Sequence, residues 1–279
     1  MGSLLELIKQ RRSTRTFENT PLLGKLCHDV HEIVHKDNSG PFKTPIIMKL
    51  IDRQEYILQN RNMGTYGFVR GIRSCIIGIL DERSTKGMVD YGYIIQKKVI
   101  KLLGMKLGTC WMGGSFNRSE FKEALSIPDT KFIPAIIPVG KALPKSFIEK
   151  ALCSFVKSKT RRPFEELFFN EDLSNPIAGT QAEELYIPLE MVRWAPSVDN
   201  TQPWRLIIDG NCVHFYMKKQ KSLESSLVHI NLNAIDMGIA MAHFEIGCNE
   251  VKKYGSWQDS KKEDLQCGHY NYIITWKFF

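Results

Sequence analysis

Several ordinary signatures are missing from this sequence, and each absence removes a class of function. No apolar run approaches the roughly 18 residues of a membrane-spanning helix. The first ten residues, "MGSLLELIKQ", alternate apolar and charged and do not read as a secretion signal. No CxxC pair occurs; the seven cysteines stand at 27, 75, 110, 153, 212, 248 and 267. An odd, widely spaced set argues against a disulfide scaffold or a zinc site and for a reducing cytoplasm. GxGxxG, Walker A and Ser/His/Asp or Cys/His hydrolase motifs are all lacking. The seven histidines offer no metal-ligand pair in a site-like context.

A long basic block is also missing, although the formal net charge is +8. The positive charge is spread over doublets such as Lys97-Lys98, Arg161-Arg162, Lys218-Lys219, Lys252-Lys253 and Lys261-Lys262. Scattered lysine of this kind is a solvated surface, and no aromatic-basic interleaving marks a nucleic-acid partner. With 279 residues, 43% of them hydrophobic, the chain can bury one large core or two medium ones.

Periodicity then supplies the elements. Leu4, Leu7, Ile8 and Arg11 share one face of a short N-terminal helix. "SCIIGIL" (Ser74–Leu80) reads as a strand, and helical spacing predicts a long helix over about Asp90 to Leu107. "TCWMGGSFNRSEF" reads as a glycine loop leading to a short helix that starts at Ser119. "FIPAIIPVG" (Phe132–Gly140) is a second strand, whose prolines predict a sheet edge or interruptions. "RLIIDGNCVHFYM" is a hairpin turning at Asp209-Gly210; a helix over about Ala234 to Tyr254 and the strand "YNYIITWKFF" follow.

Two intervals match. Asp90-x-Gly92 stands 21 residues before Trp111, and Asp236-x-Gly238 stands 21 residues before Trp257. Each half thus reads as strand, long helix, Gly/Trp loop, strand, which points to an internal duplication with halves 1–160 and 161–279. A charged, turn-rich arm, Lys157–Leu185, joins them; at this length parts of it must pack.

Two stretches carry chemistry. "IKQRRSTRTFENT" concentrates Arg11, Arg12 and Arg15 around Ser13, just after the first helix. "MVRWAPSVDNTQPWRLII" places Ser197, Asp199, Asn200, Thr201 and Gln202 between a helix ending at Pro196 and a strand beginning after Pro203. That many hydrogen-bonding side chains in a proline-framed loop suit a polar planar edge. Trp111 and Trp204 read as core filling.

These motifs together resemble the FMN-dependent nitroreductase family. "RRSTRTF" resembles its opening motif, "LGTCWMGG" its Leu-Gly-x-x-x-x-Gly-Gly loop, "APSVDNTQPWRLII" its Pro-Ser-x-x-Asn-x-Gln-Pro-Trp segment, and "RRPFEELFF" its closing Arg-x-Pro-Leu-Glu-Glu-Val segment. The order differs from ordinary members, where the Pro-Ser motif follows the first by a few dozen residues. Here that region reads "HKDNSGPFKTPIIMKL", and the motif lies in the second half.

Ordinary members are homodimers with flavin at the subunit interface. The resemblance therefore implies a fused pseudo-dimer with an α+β nitroreductase-like fold of three layers, monomeric as a chain. It implies FMN as cofactor, NADH or NADPH as electron donor, and a small-molecule acceptor such as a nitroarene or quinone. The alternative is a non-catalytic or degenerate flavin-binding protein. Carried over residue by residue, Arg11 and Ser13, with Arg12 also matched, would meet the FMN phosphate, and Arg161 would be a second anchor. Arg15 would stand near the pyrimidine ring. A backbone N–H at Gly113-Gly114 would face flavin N5. Pro196, Ser197, Asn200 and Gln202 would contact the isoalloxazine edge, with Val198 replacing the usual second serine. The mirror-image site would be inactive, since the second half has no RRSxR and its loop "YGSWQ" lacks paired glycines.

Overall fold

A computed structural model describes residues 3–52, 69–144, 160–219, 230–260 and 268–279. Residues 157–159 of the expected arm, Cys153, Cys267 and Lys261-Lys262 lie outside the described residues. The other five cysteines are free.

Six α-helices are described: α1 Leu4–Gln10, α2 Gly24–His35, α3 Thr85–Gly104, α4 Arg118–Ala124, α5 Tyr186–Arg193 and α6 Leu232–Glu250. One sheet holds β1 Ile47–Ile51, β2 Ser74–Ile79, β3 Gly108–Thr109 and β4 Ile136–Gly140 in the order β1-β2-β4-β3. The other holds β5 Phe168–Asn170, β6 Trp204–Asp209, β7 Cys212–Lys218, β8 Gly255–Gln258 and β9 Tyr270–Phe278 in the order β5-β6-β7-β9-β8. All neighbours are antiparallel except β5, which runs parallel to β6. Without β5, the second sheet repeats the order of the first. In both, the long helix follows the second strand.

Those long helices, α3 and α6, pack on each other more extensively than any other pair of elements. Glycine makes the approach possible. A Cβ on Gly92 would lie 2.0 Å from the Ile235 carbonyl oxygen, and one on Gly238 would lie 1.9 Å from that of Val89. The two contacts are reciprocal: each glycine meets the carbonyl of the residue before the other helix's Asp-x-Gly. The largest apolar cluster gathers Val89 and Ile95 of α3, Ala240 and Phe244 of α6, Ile76 and Ile137 of the first sheet, and Leu206 and Phe215 of the second. One core therefore serves both halves.

Several boundaries differ from the sequence reading, for local reasons. The α3 helix begins at Thr85, not near Asp90, because Ser84 caps it by accepting the Gly87 N–H. Asn117, not Ser119, caps α4, accepting from the Glu120 N–H. In α1 the buried residues are Leu5 and Ile8, and Arg11 is its C-cap. The β6–β7 turn is Gly210-Asn211, since Asp209 pairs with Cys212 and Gly210 takes φ +55°.

Proline 138 sits in β4, an interior strand, not at the sheet edge that its ring predicts. Ile136 exchanges both backbone hydrogen bonds with Met112. The missing N–H of Pro138, two residues on, thus faces the same side, opposite Cys110, in the break between β3 and the Met112–Ile136 bridge. The α2, β1, β3, β5 and β8 elements were not expected; β3 and β8 fall in stretches read as loops, and β5 in the arm. Gly24 opens α2 without a side-chain cap, and β1 is five residues with an irregular burial pattern. No helix of the described residues is long and apolar enough to cross a membrane.

Candidate functional site

The first basic stretch is threaded onto the first sheet. Ser13 bridges to Thr109 and the Thr14 N–H donates to the Thr109 carbonyl at 2.9 Å, so residues 11–15 run beside β3. This separates the two adjacent arginines. Arg12 turns to the Leu143 carbonyl, 2.9 Å away. Arg11 turns toward Cys110 and Arg15, and its pKa is lowered first by burial, with Cys110 opposing and Arg15 reinforcing. Arg11 is thus the inward member of the pair.

From the other half, the arm brings Arg161 to the same place. Its guanidinium donates to the Thr160 carbonyl at 2.7 Å, to Asn200 Oδ1 at 3.4 Å and to the Trp194 carbonyl at 3.5 Å, all neutral acceptors. Burial, then Arg11 and Arg193, push the Arg161 pKa down to about 10, with Glu190 opposing. Two arginines from chain positions 150 residues apart therefore repel each other in a partly dry setting. Such a pair is costly unless an anion joins it.

The proline-framed loop holds the arm in position. Gln202 Oε1 accepts the Arg162 N–H at 3.0 Å, and Gln202 Nε2 donates to the carbonyl of Asn200. Asn200 Nδ2 donates to the Thr160 carbonyl at 3.0 Å, and Ser197 Oγ accepts the Gln202 N–H at 3.0 Å. The side chains expected to face a ligand edge are thus engaged with the arm and with one another. Pro196, at the head of the loop, is partly buried. Asp199, Asn200 and Gln202 all take positive φ, at 46°, 56° and 49°. Three non-glycine residues in the left-handed region within four positions is a local cost of the sort that collects at binding sites.

Asp236 of α6 completes the clasp. Both its oxygens accept the Val198 N–H, at 3.2 and 3.1 Å. Burial raises its pKa well above the usual carboxylate range, with Val198 opposing and Asp199 reinforcing. The first turn of α6 also meets the glycine loop: a Cβ on Gly113 would lie 2.7 Å from Leu232 Cδ2. Gly114 faces open space, with nothing within 4 Å of an added Cβ. The Arg118 guanidinium pins the loop from below through the Gly113 carbonyl and that of Pro134, the latter at 2.8 Å.

A buried polar chain crosses between the halves beneath the site. The Trp111 indole N–H donates to Gln96 Oε1 at 2.9 Å, and Gln96 Nε2 meets His243 Nε2 at 2.9 Å. Burial, then Arg11, with Arg161 as a further cause, lowers the His243 pKa to about 3, with the Met191 backbone opposing, so the ring is neutral. At the corresponding tryptophan of the second half the chemistry changes: the Trp257 indole donates to Glu245, which pairs with Lys97 at 2.9 Å. Trp204 is fully buried, whereas Trp111 is only partly so.

The structure therefore brings Arg11, Arg161, Ser197, Asn200 and Gln202 together, sets Gly113 and Gly114 at the N-terminal end of α6, and directs Arg12 elsewhere. Sequence reasoning missed Asp236, Gln96, His243, Glu190 and Trp194. Asp236 was visible only as half of a repeated spacing; Gln96, His243 and Glu190 lie within helices without a motif, and Trp194 stands just before the proline-framed loop. A separate cavity of about 780 Å³ opens among Asn175, Glu184, Asn211, Lys253 and Tyr254 and contains none of the residues expected to hold the cofactor.

A family model described as "Putative TM nitroreductase" matches residues 3–248. Among curated proteins none matches the chain. A solved structure from Thermotoga maritima, of the same description as the family model, superposes with a TM-score of 0.61 at 20% identity, covering 99% of this chain and 93% of its own. An FMN-dependent nitroreductase of Clostridium difficile R20291 gives 0.40 at 16% identity, over 50% of this chain and 88% of its own. A nitroreductase family protein of Clostridium novyi gives 0.41 at 23% identity, over 53% and 88%.

Proposed function

Because the chain belongs to the nitroreductase family, we propose that it is an FMN-dependent oxidoreductase, with NADH or NADPH as donor and an electron-poor small molecule as acceptor. The observation that carries this reading is the meeting of Arg11 and Arg161, one from each half, in a partly buried setting. A dianionic phosphate would relieve their repulsion and accept charge-assisted bonds from both forks. Ser13 lies on the same strand-like segment as Arg11 and would add a hydroxyl donor.

FMN, when bound, would supply the hydride-transfer chemistry between the nicotinamide and the acceptor. The protein's part is to hold, orient and tune. Arg15 would stabilise the negative charge of a reduced ring. Gly114, with open space before it, would let backbone approach that ring. The loop of Pro196, Ser197, Asn200 and Gln202, fixed by Asp236 and by the arm, would form its other wall. No side chain is assigned as a general acid or base.

In this reading the two halves are a fused pair, and the chain works as a monomer with one FMN. The mirror-image site would lack phosphate ligands, because the second half has no RRSxR segment and its YGSWQ stretch has no paired glycines. A second reading, a flavin-binding protein without turnover, is favoured by the engagement of Asn200 and Gln202 with the arm and by Val198 in place of a serine.

Purified protein tests both. A flavin absorbance band at one FMN per chain, bleached by NADH or NADPH and restored by a nitroarene or quinone, is the expected result. A band that does not bleach supports the second reading. Failure to bind FMN at all would overturn both.

A further inference from the structure

We propose that Trp194 is a positioning residue for the phosphate site, acting as the shelf that aims the Arg161 guanidinium and sets it relative to Arg11. The inference rests on the flavin reading above.

Three contacts converge on this indole. Arg161 Cζ lies 4.7 Å from the ring centroid, the range of a cation–π contact. The indole N–H donates to Glu190 Oε1 at 2.8 Å. Glu190 is almost wholly buried and is gripped by Arg193 through Nε at 2.6 Å and Nη2 at 2.8 Å. The apolar edge of Trp194 packs against the cluster of Leu5, Ile8, Ile100 and Met191. Leu5 and Ile8 belong to α1, whose C-cap is Arg11.

The arrangement answers a physical problem. Arg161 sits within electrostatic reach of two other cations, Arg11 and Arg193. Its hydrogen bonds to Thr160, Asn200 and the Trp194 carbonyl hold the edge of the guanidinium, and the indole supports its flat face. The ring face attracts the guanidinium without neutralising it, so the full positive charge stays available for an anion. A carboxylate on the indole N–H polarises the ring and enriches that face. The bidentate grip of Arg193 on Glu190 stops the carboxylate, and hence the indole, from turning. Arg193 also reaches the Arg162 carbonyl at 3.4 Å, so the last turn of α5 holds the arm at two successive residues. One side chain thus links the arm that carries Arg161 to the apolar cluster that the helix ending in Arg11 joins.

The test compares FMN with riboflavin, which lacks the phosphate, binding to flavin-stripped full-length protein by titration. The variants are Trp194→Leu, Trp194→Phe, Arg161→Ala and the double Trp194→Leu/Arg161→Ala. Wild type should prefer FMN. Trp194→Leu should lower FMN affinity roughly tenfold and leave riboflavin affinity unchanged. Trp194→Phe keeps an aromatic face and should retain most of the preference. In the Arg161→Ala background, Trp194→Leu should have no further effect on FMN.

Equal weakening of FMN and riboflavin by Trp194→Leu would mean ordinary packing and overturn the inference. So would an unchanged FMN affinity while Arg161→Ala removes the preference; in that case the phosphate reading stands and only the shelf falls. A wild type that does not distinguish FMN from riboflavin would overturn the phosphate reading itself, and the inference with it.

Discussion

Replacing Gly238 with alanine perturbs the crossing on which both halves depend. The new Cβ would start 1.9 Å from the Val89 carbonyl oxygen and 2.6 Å from the Tyr93 nitrogen. Both are backbone atoms inside a helix, so no side-chain rotation can relieve the clash. Returning the first pair from 1.9 Å to an ordinary 3.4 Å contact needs about 1.5 Å of separation between α3 and α6. Overpacking in a core costs about 1–3 kcal/mol when neighbours can yield. A forced gap between the helices also forfeits a sizeable part of the dispersion energy along them. A loss of about 3 kcal/mol or more is therefore expected, a fall in Tm of roughly 6–12 °C for a chain of this size. Gly92→Ala should cost a similar amount, because the Ile235 carbonyl stands 2.0 Å from its added Cβ. Gly104→Ala is the control: nothing lies within 4 Å and the residue ends α3, so it should be neutral or slightly stabilising. Thermal unfolding by circular dichroism reads all three. Gly238→Ala and Gly104→Ala with the same Tm would refute the reciprocal crossing.

The two buried titratable groups beside the site predict opposite pH dependences. His243, with its pKa lowered from 6.5 to about 3, refuses a proton that the unfolded chain accepts. Stability should fall by about 1.4 kcal/mol per pH unit from this ring as pH drops through that window. His243→Gln should flatten the acid limb in urea titrations, and an unchanged acid limb would refute the assignment. Asp236, raised by burial, contributes stability that is fully present below about pH 4 and lost as pH rises through its folded value. Asp236→Asn should therefore be at least as stable as wild type at pH 8, with no such advantage at pH 4; a variant weaker at pH 8 would count against it.

The sequence made some features legible because they are local or repetitive. Asp90-x-Gly92 and Asp236-x-Gly238 emerged by counting, and the structure gives their glycines a shared purpose at the helix crossing. The long helices and most strands followed from periodicity. The α2 helix escaped because Gly24 begins it without a side-chain cap. The choice between Arg11 and Arg12 depended on where the chain leaves α1 and joins Thr109, a long-range pairing that adjacent residues do not encode. For Asn200 and Gln202 the polar character was plain, but their engagement with Thr160 and Arg162 across about 40 residues was not. Trp194 drew no separate reading from the sequence, because the buried carboxylate on its indole N–H comes from a helix position that carries no motif.

The arm has a second consequence, for solubility. After delivering Arg161 it lays β5 along β6, pairing Phe168 with Leu206 and Asn170 with Ile208. The β6 strand opens with four buried residues, Trp204 to Ile207. Stripped of β5, it would present a row of unpaired backbone groups on an apolar strand, a template for association with another chain. The segment that completes the anion site is therefore also the guard on the sheet's vulnerable margin. Damage to the arm would be seen first as aggregation, before any loss of binding could be measured.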